Sequence, residues 1–212
     1  MSLQRIKADA FKEMERLYRA RLVNSLSGFK SVNLLGTISE SGITNLSVIS
    51  SVFHLGANPA LMGFIMRPIT VTRDSYNNIM ANGSFTFNHL NTAIFEQGHQ
   101  TSARYPEEVS EFDAVGLNAE FSDLIKAPYV KESQVKMGLK FLEKKDIELN
   151  GTILIIGQVE EIFFPEDCLR EDGYLDIEKA GTLAVSGLDG YHTTQLNCRL
   201  SYAKPDQPLK KL

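Results

Sequence analysis

The chain has little of what announces a common catalytic site. Its two cysteines, Cys168 and Cys198, stand 30 positions apart, a spacing that fits neither a C-x-x-C redox pair nor paired zinc ligands, so both read as buried or idle thiols. The histidines His54, His89, His99 and His192 occur singly. No two share ligand spacing on one helix face, and no metal site is expected. The strings G-x-x-x-x-G-K, G-x-G-x-x-G, G-x-S-x-G and H-E-x-x-H are missing, so a nucleotide cofactor would have neither a P-loop nor a Rossmann cradle. No apolar run is long enough to cross a bilayer. The opening MSLQRIKADAFKEMERLY mixes charges into an amphipathic pattern and lacks the features of a signal peptide, which gives the expectation of a cytoplasmic protein with no membrane partner. A net charge of −4 without clustered Lys and Arg argues against nucleic acid.

What is present suits a single folded domain spanning 1–212, with 43% hydrophobic and 23% charged residues. Leu3, Ile6, Ala10, Met14, Leu17 and Leu22 recur at three- and four-residue steps and predict a surface helix over 3–22. SVNLLGTIS and GITNLSVISSVF around the turn SESG predict a hairpin with a long second arm, and ALMGFIM after Pro59 predicts a buried strand. A helix is predicted over 72–81, with Thr72 as cap, Asp74 in the first turn and Asn82-Gly83 as a left-handed stop. SFTFNHL reads as a strand, 91–103 as a short helix capped by Asn91, and the following RYPEEVSEFDAVGL as a surface wrap. VKMGLKFLEKKDIELNGTILIIGQVEEIFF predicts a second hairpin, with its second arm the more apolar. Beyond Pro165 a short helix, TLAVSGL and the strand-like LNCRLSYAK complete the chain. Six or seven antiparallel strands with few helices make a mainly β fold, a barrel with peripheral helices.

Chemistry concentrates between residues 45 and 88. RPITVTRDSYNNI lies where a strand gives way to a helix, and a helix start offers unpaired N–H groups beside Arg67, Arg73, Thr70, Thr72 and Ser75. Those are the parts of a phosphate-monoester site, in which a guanidinium can grip two oxygens at once. The same residues also fit a solvated helix start with two surface arginines. In NLSVISSVF, Ser47, Ser50 and Ser51 break strict alternation and suggest a bulge or irregular edge. Such an edge would offer free backbone donors and acceptors beside an apolar wall, which a flat heteroaromatic ring needs. Solvent-facing serines are the other reading.

Together these pieces resemble the flavin reductase-like family of FMN-binding split barrels, which includes flavoredoxin-type and ferric-reductase-type proteins. The resemblance rests on Asn45 and Ser50, on the Asn58-Pro59-Ala60 turn, and on Arg73-Asp74-Ser75-Tyr76-Asn77-Asn78-Ile79, which matches the family's Lys-Asp-Thr-x-x-Asn-Ile. It continues through SFTFNHL, TSARYPEEVSEFDAVGL and APYVKES, over roughly residues 30 to 165. The resemblance implies a Greek-key split barrel, a homodimer, bound FMN, NAD(P)H as electron donor and a small-molecule electron acceptor. It implies that Ser47, Val48, Ile49, Ser50 and Ser51 line the isoalloxazine and ribityl chain, with Asn45 and Met66 beside them. Arg67, Thr72, Arg73 and Ser75 would meet the phosphate, and Asn88, Thr101, Ser102 and Tyr105 would approach from another side.

No side chain is expected to do the acid-base chemistry, since the flavin carries it; Tyr191 and His192 are candidates for the nicotinamide side. One departure counts against efficient NAD(P)H use: LAVSGLDGY places Val185 or Ser186 where several family reductases carry an arginine. The alternatives are an FMN-binding electron carrier or sensor without turnover, and a barrel that holds haem through His54, His89 or His99. A pyridoxamine-phosphate oxidase-like activity is a third, though no matching motif supports it.

Overall fold

The computed structural model describes residues 2–70 and 73–212. Two short helices, α1 (Ala10–Glu13) and α2 (Arg16–Ser25), lead into β1 (Lys30–Ser31), β2 (Asn33–Ile38), β3 (Thr44–Ile49), β4 (Phe53–Ala57) and β5 (Ala60–Met66). Then come α3 (Asp74–Asn82), β6 (Ser84–His89), α4 (Phe95–Gln100) and α5 (Glu111–Val115). The remainder holds β7 (Ala119–Glu120), β8 (Tyr129–Val130), the long hairpin β9 (Lys136–Ile147) and β10 (Thr152–Phe163), then β11 (Ala184–Ser186) and β12 (Gly190–His192). Among the described residues no helix is long and apolar enough to cross a membrane.

Strand alternation explains why there are two cores. In β2, Leu34 points into one cluster with Leu46, Leu90 and Phe112, whereas its neighbour Leu35 points into another with Phe64, Phe85, Phe87 and Ile155. The second cluster fills the barrel, and its three phenylalanine rings meet at centroid separations of 5.2 to 5.7 Å. Gly157 makes room for them, since a Cβ there would sit 2.6 Å from Cζ of Phe85. The main sheet has seven antiparallel strands in the order β3-β2-β6-β9-β10-β5-β4, and β1, β11 and β12 form a small second sheet. The chain jumps from β5 past β10 and β9 to β6, an order that no local pattern encodes. α3 docks on β2 through Asn78 to Thr37 at 3.1 Å and Asn82 to the carbonyl of Ile38 at 2.7 Å. It ends at Gly83, whose φ of 67° is the left-handed stop read from Asn82-Gly83.

Several expected elements change shape. The long second arm of the first hairpin breaks at Ser50–Val52, so that β3 and β4 lie at opposite ends of the sheet order. The helix expected over 3–22 is divided at Met14, where the backbone turns extended, and neither piece buries a residue. Its apolar stripe has no facing core within one chain. The helix expected over 91–103 shortens to α4, because Asn91 accepts from Ala93 in a local turn and pairs with Thr182 across a bridge. The segment expected to wrap the surface folds as α5 with Phe112 buried. LNCRLSYAK forms no strand; residues 193–212 carry isolated bridges.

Candidate functional site

The break between β3 and β4 leaves a seam in the barrel wall, and a cavity of about 690 Å³ opens there. That volume falls in the range of cofactor sites. Ser51 spans the seam: its hydroxyl donates to the carbonyl of Ile65 and accepts from the Ile65 N–H, both at 3.1 Å. A single side chain thus completes the free edge of β5 where a strand would otherwise lie.

One corner of the cavity is polar by construction. Ser75, in the first turn of α3, is buried and accepts from Asn45 Nδ2 at 2.9 Å, and its hydroxyl meets that of Ser47 at 3.2 Å. Asn45 and Ser47 point the same way because they are two residues apart on β3. Arg73 holds the cap position of α3 without a side-chain cap, and its Nη2 donates to the Pro68 carbonyl at 3.4 Å. Its Nε is buried with no acceptor among the described residues. A buried guanidinium nitrogen without a partner is costly, and an anion in the cavity would supply the acceptor. Arg67, at the end of β5, lines the same cavity from the exposed side.

Two carboxylates, Asp74 and Glu111, also line this cavity. Burial pushes the Glu111 carboxyl above the usual carboxylate range, the Leu46 N–H partly opposes that, and the charge of Asp74 adds to it. Both shifts against ionisation reduce the repulsion that Glu111 would exert on an anion.

A second wall comes from α4, the loop after it, and β12. His99 Nδ1 lies 2.8 Å from the Tyr191 hydroxyl, and Tyr105 is joined to Gln100 at 3.1 Å. Tyr191 also tilts against Phe95 at 5.7 Å. Burial, and then the charge of Asp189, push the Tyr191 phenol up, so it keeps its proton at neutral pH.

The cavity brings together Asn45, Ser47, Val48, Ile49, Ser50, Ser51, Met66, Arg67, Arg73, Ser75, Thr101, Ser102, Tyr105 and Tyr191 from the sequence reading. Thr72 lies outside the described residues. Asn88 is a correction: it is fully buried behind the sheet, with Nδ2 on Leu34 and Thr86 and Oδ1 accepting from Val130, and it does not line the cavity. His192 is another. Its Nε2 meets the Ser186 hydroxyl at 2.8 Å and its ring packs on Phe29, away from the cavity. The sequence reading did not place His99, Asp74 and Glu111 at the cavity; Asp74 sits inside the quoted motif, whereas the other two arrive through α4 and α5 and leave no local signal. Of the histidines weighed as haem ligands, His99 lines the cavity, while His54 lies on β4 and His89 is held by Thr182 at 3.0 Å.

The same architecture recurs among known proteins. Residues 29–182 match the family model of the flavin reductase like domain. A split-barrel protein from Shewanella frigidimarina NCIMB 400, assigned as a flavin reductase, is 45% identical with a TM-score of 0.91, covering 94% of this chain and 100% of its own. Nitrilotriacetate monooxygenase component B from Bacillus cereus shares the fold at 19% identity and a TM-score of 0.80, over 94% of this chain and 100% of that one. Flavoredoxin of Desulfovibrio vulgaris (Miyazaki F) shares it at 22% and 0.69, over 84% and 92%.

Proposed function

The chain belongs to the flavin reductase like domain family, and from that premise we propose that its cavity holds FMN and that the protein is an NAD(P)H-dependent flavin reductase. The observation that carries the proposal is Arg73 Nε, buried without an acceptor among the described residues, beside the Asn45, Ser47 and Ser75 cluster. A phosphate monoester fits that corner: Arg73 and Arg67 would donate from one side and the Ser75 and Ser47 hydroxyls from another. Its ring would lie along residues 48–51 and Met66, where apolar side chains alternate with backbone polar groups.

When bound, the flavin supplies hydride transfer at its N5. The chain's own residues orient and shield. Ile49, Met66 and Phe64 would exclude water from one side, and Arg73 would hold the phosphate end. Tyr191 and His99 would border the place where a dihydronicotinamide enters, and a small-molecule acceptor would follow it there. A second reading is an FMN-holding electron carrier without nicotinamide turnover. It is favoured by Val185 or Ser186 standing where several family reductases carry an arginine; the Ser186 hydroxyl is spent on His192.

We also propose a homodimer. The chain exposes 13543 Å², about 3,700 Å² more than the roughly 9,800 Å² that surface scaling gives for a compact monomer of 23.6 kDa. An obligate interface would cover roughly 1,000 to 2,500 Å² of it on each chain. The excess includes the outer face of β4 with Phe53 and Leu55, the end of β10 with Ile162 and Phe163, and Leu17, Tyr18 and Val23 on α2.

The test is direct. Freshly purified protein should show flavin absorbance or gain it on adding FMN, and anaerobic NADH or NADPH should bleach it. A flavin that binds yet resists both nucleotides selects the carrier reading, and protein indifferent to FMN overturns both.

A further inference from the structure

β3 forms one end of the seven-stranded sheet, so one row of its backbone amides has no strand to bond. The register with β2 directs the amides of Asn45, Ser47 and Ile49 inward to the ladder and those of Leu46 and Val48 outward. Each outward amide is met by a side chain. The Leu46 N–H donates to Glu111 Oε2 at 2.9 Å, and the Val48 N–H donates to Thr101 Oγ1 at 2.9 Å. Thr101 is itself fixed, since its hydroxyl is buried and donates to the Gly98 carbonyl at 2.7 Å. Glu111 is held in the first turn of α5, which packs on β3 through Phe112 and Leu46. The next amide along this edge, that of Ser50, has no acceptor among the described residues, and Ser50 lines the cavity.

We propose that Thr101 and Glu111 are positioning residues for the cavity, standing in for the missing neighbour strand of β3 and stopping one amide short so that Ser50 N–H is left for the ligand. The proposal rests on the flavin reading of the cavity. A real strand on this edge would have continued along the row and covered Ser50. Two side chains, from residues ten positions apart in sequence, bond amides two positions apart and then end. Their effect on the opposite face is direct, because Asn45 and Ser47 reach Ser75 from the same strand. A shift of β3 would open the polar corner and move the Ser50 amide together. Neither residue spends its bonded atom on a ligand: both oxygens are taken by backbone N–H groups, and Thr101, read from the sequence as a flavin contact, acts through Val48.

Thr101→Val keeps the shape of the side chain and removes the acceptor, whereas Thr101→Ser restores it; Glu111→Gln keeps an acceptor oxygen and Glu111→Leu removes it. Amide exchange at Leu46 and Val48, thermal unfolding and FMN titration would be followed on the full chain. Thr101→Val should speed exchange at Val48 by about tenfold or more and weaken FMN by about fivefold or more, with the β9–β10 amides unchanged. Thr101→Ser and Glu111→Gln should return both readouts toward wild type, and Glu111→Leu should act on Leu46 as Thr101→Val acts on Val48. FMN affinity that stays at the wild-type value while Val48 or Leu46 exchange rises would overturn the proposal and leave the flavin reading intact. Wild-type protein that takes up no FMN would overturn the flavin reading, and this proposal with it. If Thr101→Val does not fold, the Thr101→Ser and Glu111→Gln pair decides, since loss of FMN affinity despite a retained acceptor contradicts the mechanism.

Discussion

The Tyr191 hydroxyl and His99 Nδ1 lie 2.8 Å apart, with their rings edge to face at 86°, which ties β12 to α4 on the cavity wall. This wall is built from different elements than the Ser75 corner, so the two can be perturbed separately. Tyr191→Phe keeps the ring against Phe95 and removes the bond. FMN affinity should stay within about twofold of wild type, while KM for the dihydronicotinamide should rise about three- to tenfold, the loss of one modest hydrogen bond. Fluorescence titration and steady-state kinetics check the pair of outcomes. A wild-type KM would take Tyr191 out of the second substrate's path.

The two arginines should not be equivalent. Arg73 has a buried Nε with no acceptor among the described residues, whereas Arg67 is exposed and would meet the proposed phosphate from the solvent side. Arg73→Ala should cost FMN about 1.5 to 3 kcal/mol, roughly 10- to 150-fold in Kd, and Arg67→Ala distinctly less. Riboflavin, which lacks the phosphate, should bind both variants as it binds wild type. Equal losses for FMN and riboflavin would move the phosphate away from this corner.

The legible part of the site is the part made by contiguous chain. Ser47 follows from the strand pattern and Arg73 and Ser75 from a helix start, while Asn45, two residues before Ser47 on the same strand, comes from the family resemblance. Ser51 was singled out because it breaks alternation, and the structure gives the reason, a hydroxyl that stands in for a strand at Ile65. Asn88 shows the limit. Its spacing on β6 is equally regular, but Leu34, Thr86 and Val130 take up its polar atoms, and nothing local records that β6 does not reach the cavity. His99 and Glu111 are illegible for the same reason, since α4 brings His99 to β12 across 92 residues of chain and α5 brings Glu111 to β3 across 65. The divided N-terminal helix is a different case: its apolar residues Leu17 and Val23 are exposed, and the proposed homodimer would supply their cover.

The proposed homodimer is measurable. Sedimentation should give a particle of twice the 23.6 kDa chain mass, and Leu55→Glu, on the outer face of β4, should shift it toward the single chain because burying an unpaired carboxylate costs several kcal/mol. FMN affinity should fall in step if the cavity needs the partner. A stable monomer with its exposed apolar area intact would require another cover for α2 and β4.

Acid should weaken the fold through His89. Burial lowers its pKa from the usual 6.5 to about 4, with Nδ1 held at the Thr182 hydroxyl. As pH falls, the unfolded chain takes up this proton first, so the stability His89 lends is full above about pH 6.5 and is lost progressively toward pH 4. By about pH 5 the loss should be on the order of 2 kcal/mol. His89→Asn keeps a polar partner for Thr182 and cannot titrate, so its urea midpoint should be flatter than that of wild type between pH 7 and about pH 5. Carboxylates such as Asp172 and Asp176, held low by Arg199 and by the Lys179 N–H, contribute mainly below that window. If wild type and His89→Asn lose stability in parallel from neutral pH downward, the imidazole must already reach solvent in the folded chain, and the tight closure of β6 against residues 180–183 would have to be abandoned.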